Sequence, residues 1–147
     1  MNRTLAATWA AAAAIALSGC ADMQSKMPDW MPGSGAVSVS LSGAEEVPPV
    51  KAAGTGSGSF RLAEDGTLTG GVTTKDVAGT AAHVHLGVKG RNGPVIVPLT
   101  KSGDTYSVPE GRKLTAAQVK AFKAGELYVN VHTRAHRGGE VRGQIQP

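Results

Sequence analysis

Leu127-Tyr128-Val129-Asn130-Val131-His132-Thr133 alternates aliphatic and polar side chains with a period of two. Successive side chains on a strand point to opposite faces, so Leu127, Val129 and Val131 take one face and Tyr128, Asn130 and His132 take the other. The same alternation recurs on both sides. Val37, Val39 and Leu41 alternate with serines, Phe60 and Leu62 with Ser59 and Arg61, and Val84 and Leu86 with histidines. Val141 and Ile145 alternate with Glu140, Arg142 and Gln144. Leu68 and Val72 follow the turn Glu64-Asp65-Gly66, Val95-Ile96-Val97 follows Asn92-Gly93-Pro94, and Tyr106 and Val108 follow Ser102-Gly103-Asp104. Short runs of this kind, about eight of them between Gly, Asp, Asn and Pro turns, predict an all-β fold. The expected architecture is an antiparallel, Greek-key-like β-sandwich or barrel over residues 36–147. One short helix interrupts it. Thr115-Ala116-Ala117-Gln118 fits a capping box, Val119 and Phe122 share a helix face, and Gly125 supplies a left-handed stop. Leu114, Val119 and Phe122 are expected to plug one end of the fold.

Composition agrees with this reading. The chain has 147 residues, enough for one domain, and shows no internal repeat. Its 20 glycines and 4% aromatics suit a turn-rich β protein better than a bundle. The single cysteine excludes an intrachain disulfide and any Cys-rich zinc module. The net charge is +4, from 15 basic and 11 acidic residues, and without Arg3 it falls to 14 − 11 = +3. No Lys/Arg run or basic-aromatic interleaving accompanies that charge, which argues against a nucleic-acid partner.

Residues 1–19 have the order of an export signal: Arg3, then the apolar, alanine-rich stretch from Leu5 to Leu17, then small residues. Leu17-Ser18-Gly19-Cys20 resembles the bacterial lipobox, which implies that Cys20 is lipidated and becomes the first mature residue. The acyl chains would hold the protein on a bilayer at about 0.8 kcal/mol per buried CH₂. Ala21 after the cysteine resembles the outer-membrane sorting pattern, so the expected location is the cell envelope, on the outer membrane, facing the periplasm or the cell surface. Residues 20–35 read as a tether broken by Pro28, Pro32, Gly33, Ser34 and Gly35. Met23, Met27 and Met31 recur every four residues and offer thioether ligands for Cu(I), or are incidental to a flexible spacer.

All four histidines fall in two short stretches, His83-Val84-His85 and His132-Thr133-Arg134-Ala135-His136. With Val84, Leu86, Val129 and Val131 facing a core, His83, His85 and His132 all point away from it. If the two strands are neighbours, three imidazoles converge on one outer patch, and His136 can close over it as a fourth ligand. Neutral imidazoles are what Cu(II) or Zn(II) needs, and each wants a partner that fixes its tautomer, for which Asn130, Glu140 and Thr133 are candidates. The alternative is a polar outer face of hydrogen-bonded, architectural histidines. Glu45 and Glu46 read as part of a proline-stiffened edge, and Arg134, Arg137 and Arg142 as a solvated rim. The mature domain has no nucleophilic cysteine and no evident Ser-His-acid set, which favours a non-enzymatic role.

Several motifs in order resemble a known family. Leu41-Ser42-Gly43-Ala44-Glu45-Glu46-Val47-Pro48-Pro49-Val50, Ala82-His83-Val84-His85, Gly125-Glu126-Leu127-Tyr128-Val129-Asn130-Val131-His132-Thr133 and Gly138-Gly139-Glu140-Val141-Arg142-Gly143-Gln144-Ile145 together resemble the CHRD domain, the module named after chordin, across about Val39 to Gln146. The resemblance implies an all-β extracytoplasmic module and no particular reaction. Locally, His83-Val84-His85 resembles the copper strand of copper–zinc superoxide dismutases, with His132 in the part of a later histidine. No histidine lies between His85 and His132, so only a copper-like half site would be matched. The expected function is therefore an envelope lipoprotein that binds copper, or zinc as the alternative, for buffering, storage or delivery, with an envelope protein as a further candidate partner. The other readings are a structural or adhesive module without metal, and a superoxide dismutase-like copper enzyme.

Overall fold

The computed structural model describes residues 35–147. The expected signal segment, Cys20 and the tether methionines Met23, Met27 and Met31 lie outside the described residues. Nine strands form one antiparallel sheet: β1 (Val37–Ser42), β2 (Thr55–Leu62), β3 (Leu68–Lys75), β4 (Gly79–Leu86), β5 (Val95–Pro98), β6 (Thr100–Ser102), β7 (Thr105–Ser107), β8 (Leu127–Thr133) and β9 (Val141–Ile145). Their order across the sheet is β5-β4-β8-β9-β1-β2-β3-β7-β6. The two outermost strands are consecutive in sequence and separated only by Leu99, whose N–H donates to the Ala82 carbonyl at 3.0 Å. The sheet therefore curls into a nearly closed barrel. Curling protects edge groups that would otherwise pair with another chain.

The apolar face of every strand but β6, whose three residues are all exposed, turns inward. Val39, Leu41, Phe60, Leu68, Val72, Val84, Val97, Tyr106, Val129, Val131, Val141 and Ile145 form a continuous core. Helix α1 (Ala116–Lys123) lies between β7 and β8 in sequence and packs Phe122, with Leu114 just before it, on that core. Its capping box is complete. Thr115 Oγ1 accepts from the Gln118 N–H at 3.3 Å, and Gln118 Oε1 accepts from the Thr115 N–H at 2.9 Å. Gly125 follows with φ +71°, the left-handed conformation that ends the helix at little cost for a residue without Cβ. No helix of the described residues is long and apolar enough to cross a membrane.

Two expectations need correction. Leu86, expected in the core with Val84, is 36% exposed, because it is the last residue of β4 and clears the end of the barrel. Strand β8 was expected to have one wet face, yet six of its seven residues are buried. Its polar face is roofed by three connections: residues 43–54 between β1 and β2, residues 87–94 between β4 and β5, and residues 134–140 between β8 and β9. Asn92 Nδ2 ties two of these together by donating to the Val47 carbonyl at 2.8 Å, and Lys89 pairs with Glu45 at 3.1 Å above them.

The contrast between inner and outer apolar positions gives a direct check. Val131→Ala should cost about 1–3 kcal/mol through lost burial and a residual cavity. Val95→Ala, at a residue 46% exposed, should change stability by less than about 0.5 kcal/mol. Urea denaturation of the two variants measures both, and equal effects would contradict the assigned core.

Candidate metal centre

The register of β4 against β8 builds the site. His83 lies opposite Asn130, His85 opposite Tyr128, and Ala81 opposite His132. The two histidines of β4 and the one of β8 therefore meet diagonally on the roofed face. One ring nitrogen from each of His83, His85 and His132 lies within 4.8 Å of the others. His85 is buried and the other two are half-buried.

Two backbone carbonyls set the tautomers. The Gly93 carbonyl, on the β4–β5 loop, is 2.9 Å from His85 Nδ1. The Arg137 carbonyl, on the β8–β9 loop, is 2.8 Å from His132 Nδ1. A carbonyl only accepts, so each Nδ1 carries the hydrogen and each Nε2 keeps its lone pair. His132 Nε2 then accepts from His83 Nδ1 at 3.0 Å. His85 Nε2 is buried and finds no donor. A buried acceptor without a donor is costly, by about 1–3 kcal/mol, and here it lies beside two further imidazoles. A cation would satisfy all three lone pairs at once, with the His83 hydrogen moving to its other ring nitrogen.

The ring of His85 is held from behind as well. Tyr128 stacks on it with centroids 4.7 Å apart and planes 9° apart. On the far side, the Arg142 guanidinium lies 3.4 Å above the Tyr128 ring centre. Arg142 also donates to the Asn92 side chain at 3.2 Å and to the Arg91 carbonyl at 2.7 Å. The Tyr128 hydroxyl accepts from the Gly93 N–H at 3.1 Å. The loop that supplies the His85 carbonyl is thus clamped by the same stack that fixes the His85 ring, which is the kind of outer support a metal ligand needs.

Burial sets the electrostatics. His83 is pushed below the ordinary value of 6.5 first by burial and then by the proximity of His132 and His85. His85 is also pushed down by burial, which outweighs the opposing pull of the Gly93 carbonyl. Both are neutral at pH 7, the form that binds a metal. Glu46 is pushed above 4.5 by burial, against the lowering effect of its hydrogen bond from Asn130.

Several sequence expectations are revised here. His136 is not among the clustered histidines. Its backbone closes the loop instead: its N–H donates to Thr133 Oγ1 at 3.0 Å, and its carbonyl accepts from the N–H groups of Thr133 and Gly139. Glu140 does not orient an imidazole. It accepts from Thr133 Oγ1 at 2.7 Å, and Thr133, next to His132 in the strand, points to the opposite face. Arg142 is 1% exposed rather than part of a solvated rim, because Tyr128 and the β4–β5 loop enclose it. Glu46 is 4% exposed rather than on an edge, since the turn Gly43–Glu45 swings it over the sheet, where its Oε1 accepts from Asn130 Nδ2 at 3.3 Å. Asn130, expected behind the histidines, does lie among them. The position of Glu46, immediately after a glycine-started turn, gives no periodic signal. Gly139 was the available hint, because a Cβ there would run into Glu46 and Asn130.

The model of the CHRD domain matches residues 37–145, and the chain belongs to that family. No curated protein and no solved structure matches it.

The depressed histidines make stability depend on pH in the metal-free protein. As pH falls below about 6.5, the unfolded chain takes up protons before folded His83 and His85 do, so stability is lost toward lower pH. Glu46, with its pKa raised, acts in the opposite sense only nearer the carboxylate range. Urea midpoints measured from about pH 7.5 to about pH 5 should fall, and His85→Gln should flatten the slope. A wild-type profile that is flat across this window would contradict the buried, neutral assignment.

Proposed function

We propose that this CHRD-family protein is a lipid-anchored envelope protein that binds copper, with zinc as the alternative ion, at His83, His85 and His132, and that it buffers, stores or delivers the metal. The observation that carries the reading is the buried, donorless Nε2 of His85 beside two other imidazole nitrogens. The donor chemistry suits borderline divalent ions, and the general affinity order places Cu(II) above Zn(II). A histidine set without thiolates suits an exchangeable ion better than the Cys-rich sets of closed structural sites do.

The second reading is a structural or adhesive module. The direct His83–His132 hydrogen bond and the Tyr128–His85 stack favour it, because both persist without a metal. Titration separates the two. The purified protein should bind one equivalent of Cu(II) and, more weakly, of Zn(II). His83→Ala, His85→Ala and His132→Ala should each weaken binding at least tenfold, and His136→Ala by less than about twofold, since a lost ligand removes of the order of 1.4 kcal/mol or more. Absence of tight one-to-one binding, or binding unaffected by the first three changes, would leave the architectural reading.

Anchoring rests on Cys20. Cys20→Ser should leave the domain folded and move the protein from the detergent phase to the aqueous phase, with the mass of the acyl groups lost. A wild-type protein without added lipid mass would contradict it.

A further inference from the structure

Asn130 is 2% exposed and stands at the register position directly opposite His83, between the strand positions of Tyr128 and His132. Its amide has one possible orientation. Nδ2 donates to Glu46 Oε1 at 3.3 Å and to the Gly138 carbonyl at 3.2 Å. A carbonyl and a carboxylate cannot donate back, so both hydrogens of Nδ2 are used there and Oδ1 is turned the other way. That oxygen is buried and has no hydrogen-bond donor. The side chain is within hydrogen-bonding reach of His85, a contact that favours protonation of that ring; with the His85 hydrogen on Nδ1, facing the Gly93 carbonyl, its Nε2 is buried and has no hydrogen to offer. In the neutral ring, therefore, two buried acceptors face one another with no hydrogen between them, and a positive charge, a proton or a metal ion, is what satisfies both.

We infer that Asn130 Oδ1 is the fourth ligand of the metal site, completing an N₃O donor set with His83, His85 and His132. The inference rests on the metal-binding reading above and adds the oxygen ligand and its consequence for selectivity. Glu46 and Gly138 are the positioning groups, because they hold the amide with its oxygen inward. Glu46 also places a carboxyl one residue away from the ion without spending it as a ligand. A neutral amide oxygen is a hard donor. Together with imidazoles it suits Cu(II) and Zn(II) and disfavours Cu(I), which prefers thiolate and thioether sulfur. On this account the domain selects the divalent state of copper.

The test is a competition titration of the full chain with Cu(II), with Cu(I) held by a chelator, and with Co(II) as a spectroscopic probe. Wild type should bind Cu(II) at one equivalent and give a Co(II) visible spectrum of four-coordinate type. Asn130→Ala should weaken Cu(II) at least tenfold, leave Cu(I) affinity within about twofold, and shift the Co(II) bands. Should that variant fail to fold by circular dichroism, the double variant Glu46→Gln with Asn130→Asp keeps an inward oxygen and exchanges donor and acceptor across the contact between positions 46 and 130, while giving up the donation to Gly138. It should bind Cu(II) more tightly than wild type and also shift the Co(II) bands. Cu(II) affinity and Co(II) bands unchanged by either variant would overturn the inference while leaving the three-histidine site in place. Failure of wild type to bind any of the three ions would overturn the metal reading itself.

Discussion

A backbone carbonyl cannot donate a hydrogen, and two of them, Gly93 and Arg137, determine what the histidine cluster can do. Each takes the Nδ1 hydrogen of one imidazole and so leaves that ring's Nε2 as a lone pair directed into the cluster. The arrangement depends on loops lying over a sheet face that would otherwise be wet. Those loops depend in turn on Arg142, which braces the β4–β5 connection through two carbonyl or amide contacts while stacking on Tyr128. Arg142 is buried, with the Glu46 carboxylate near enough to feel its charge. Here its charge is spread over a ring face and loop oxygens, which is what a planar guanidinium does well. The barrel wall supplies the register, and the loops supply the protonation state.

Much of this was legible in the sequence. Period-two alternation through Val129 and Val131 identifies the strands, and it places His132 on the face opposite the core. The same parity puts His83 and His85 together. What alternation cannot say is whether a polar face is covered. Tyr128, Asn130, Arg142 and Gln144 read as solvent-facing because they alternate with aliphatics, yet loops of irregular conformation bury most of that face. Burial by loops has no periodicity, so Glu46 and Arg142 were misread for one reason. His136 and Glu140 failed for another. Both lie near His132 in sequence, but a loop and a strand-face reversal separate them from it in space. Leu86 shows the limit at strand ends, where parity persists after the core has ended.

Closure of the barrel matters for the site as well as for edge protection. Strand β4 is held on one side by β8 and on the other by β5, which leads within one residue into β6. The histidine pair is therefore carried on an interior strand of a continuous wall rather than on an edge. Rigid placement lowers the ordering cost of bringing three imidazoles together. The site's tautomers and ring orientation, and the neutral charge of His83 and His85, are present before any ion arrives, so binding needs little more than the transfer of one hydrogen from His83 Nδ1.

The central claim is that these imidazoles are set in advance to receive a metal. Long-range proton–nitrogen NMR of the histidine rings tests it most directly, in the metal-free protein and after one equivalent of Zn(II). The account predicts that His85 and His132 carry hydrogen on Nδ1 before zinc, and that their Nε2 resonances move to the coordinated range when zinc is added. Rings protonated on Nε2 at neutral pH, or Nε2 resonances that zinc leaves unmoved, would contradict it.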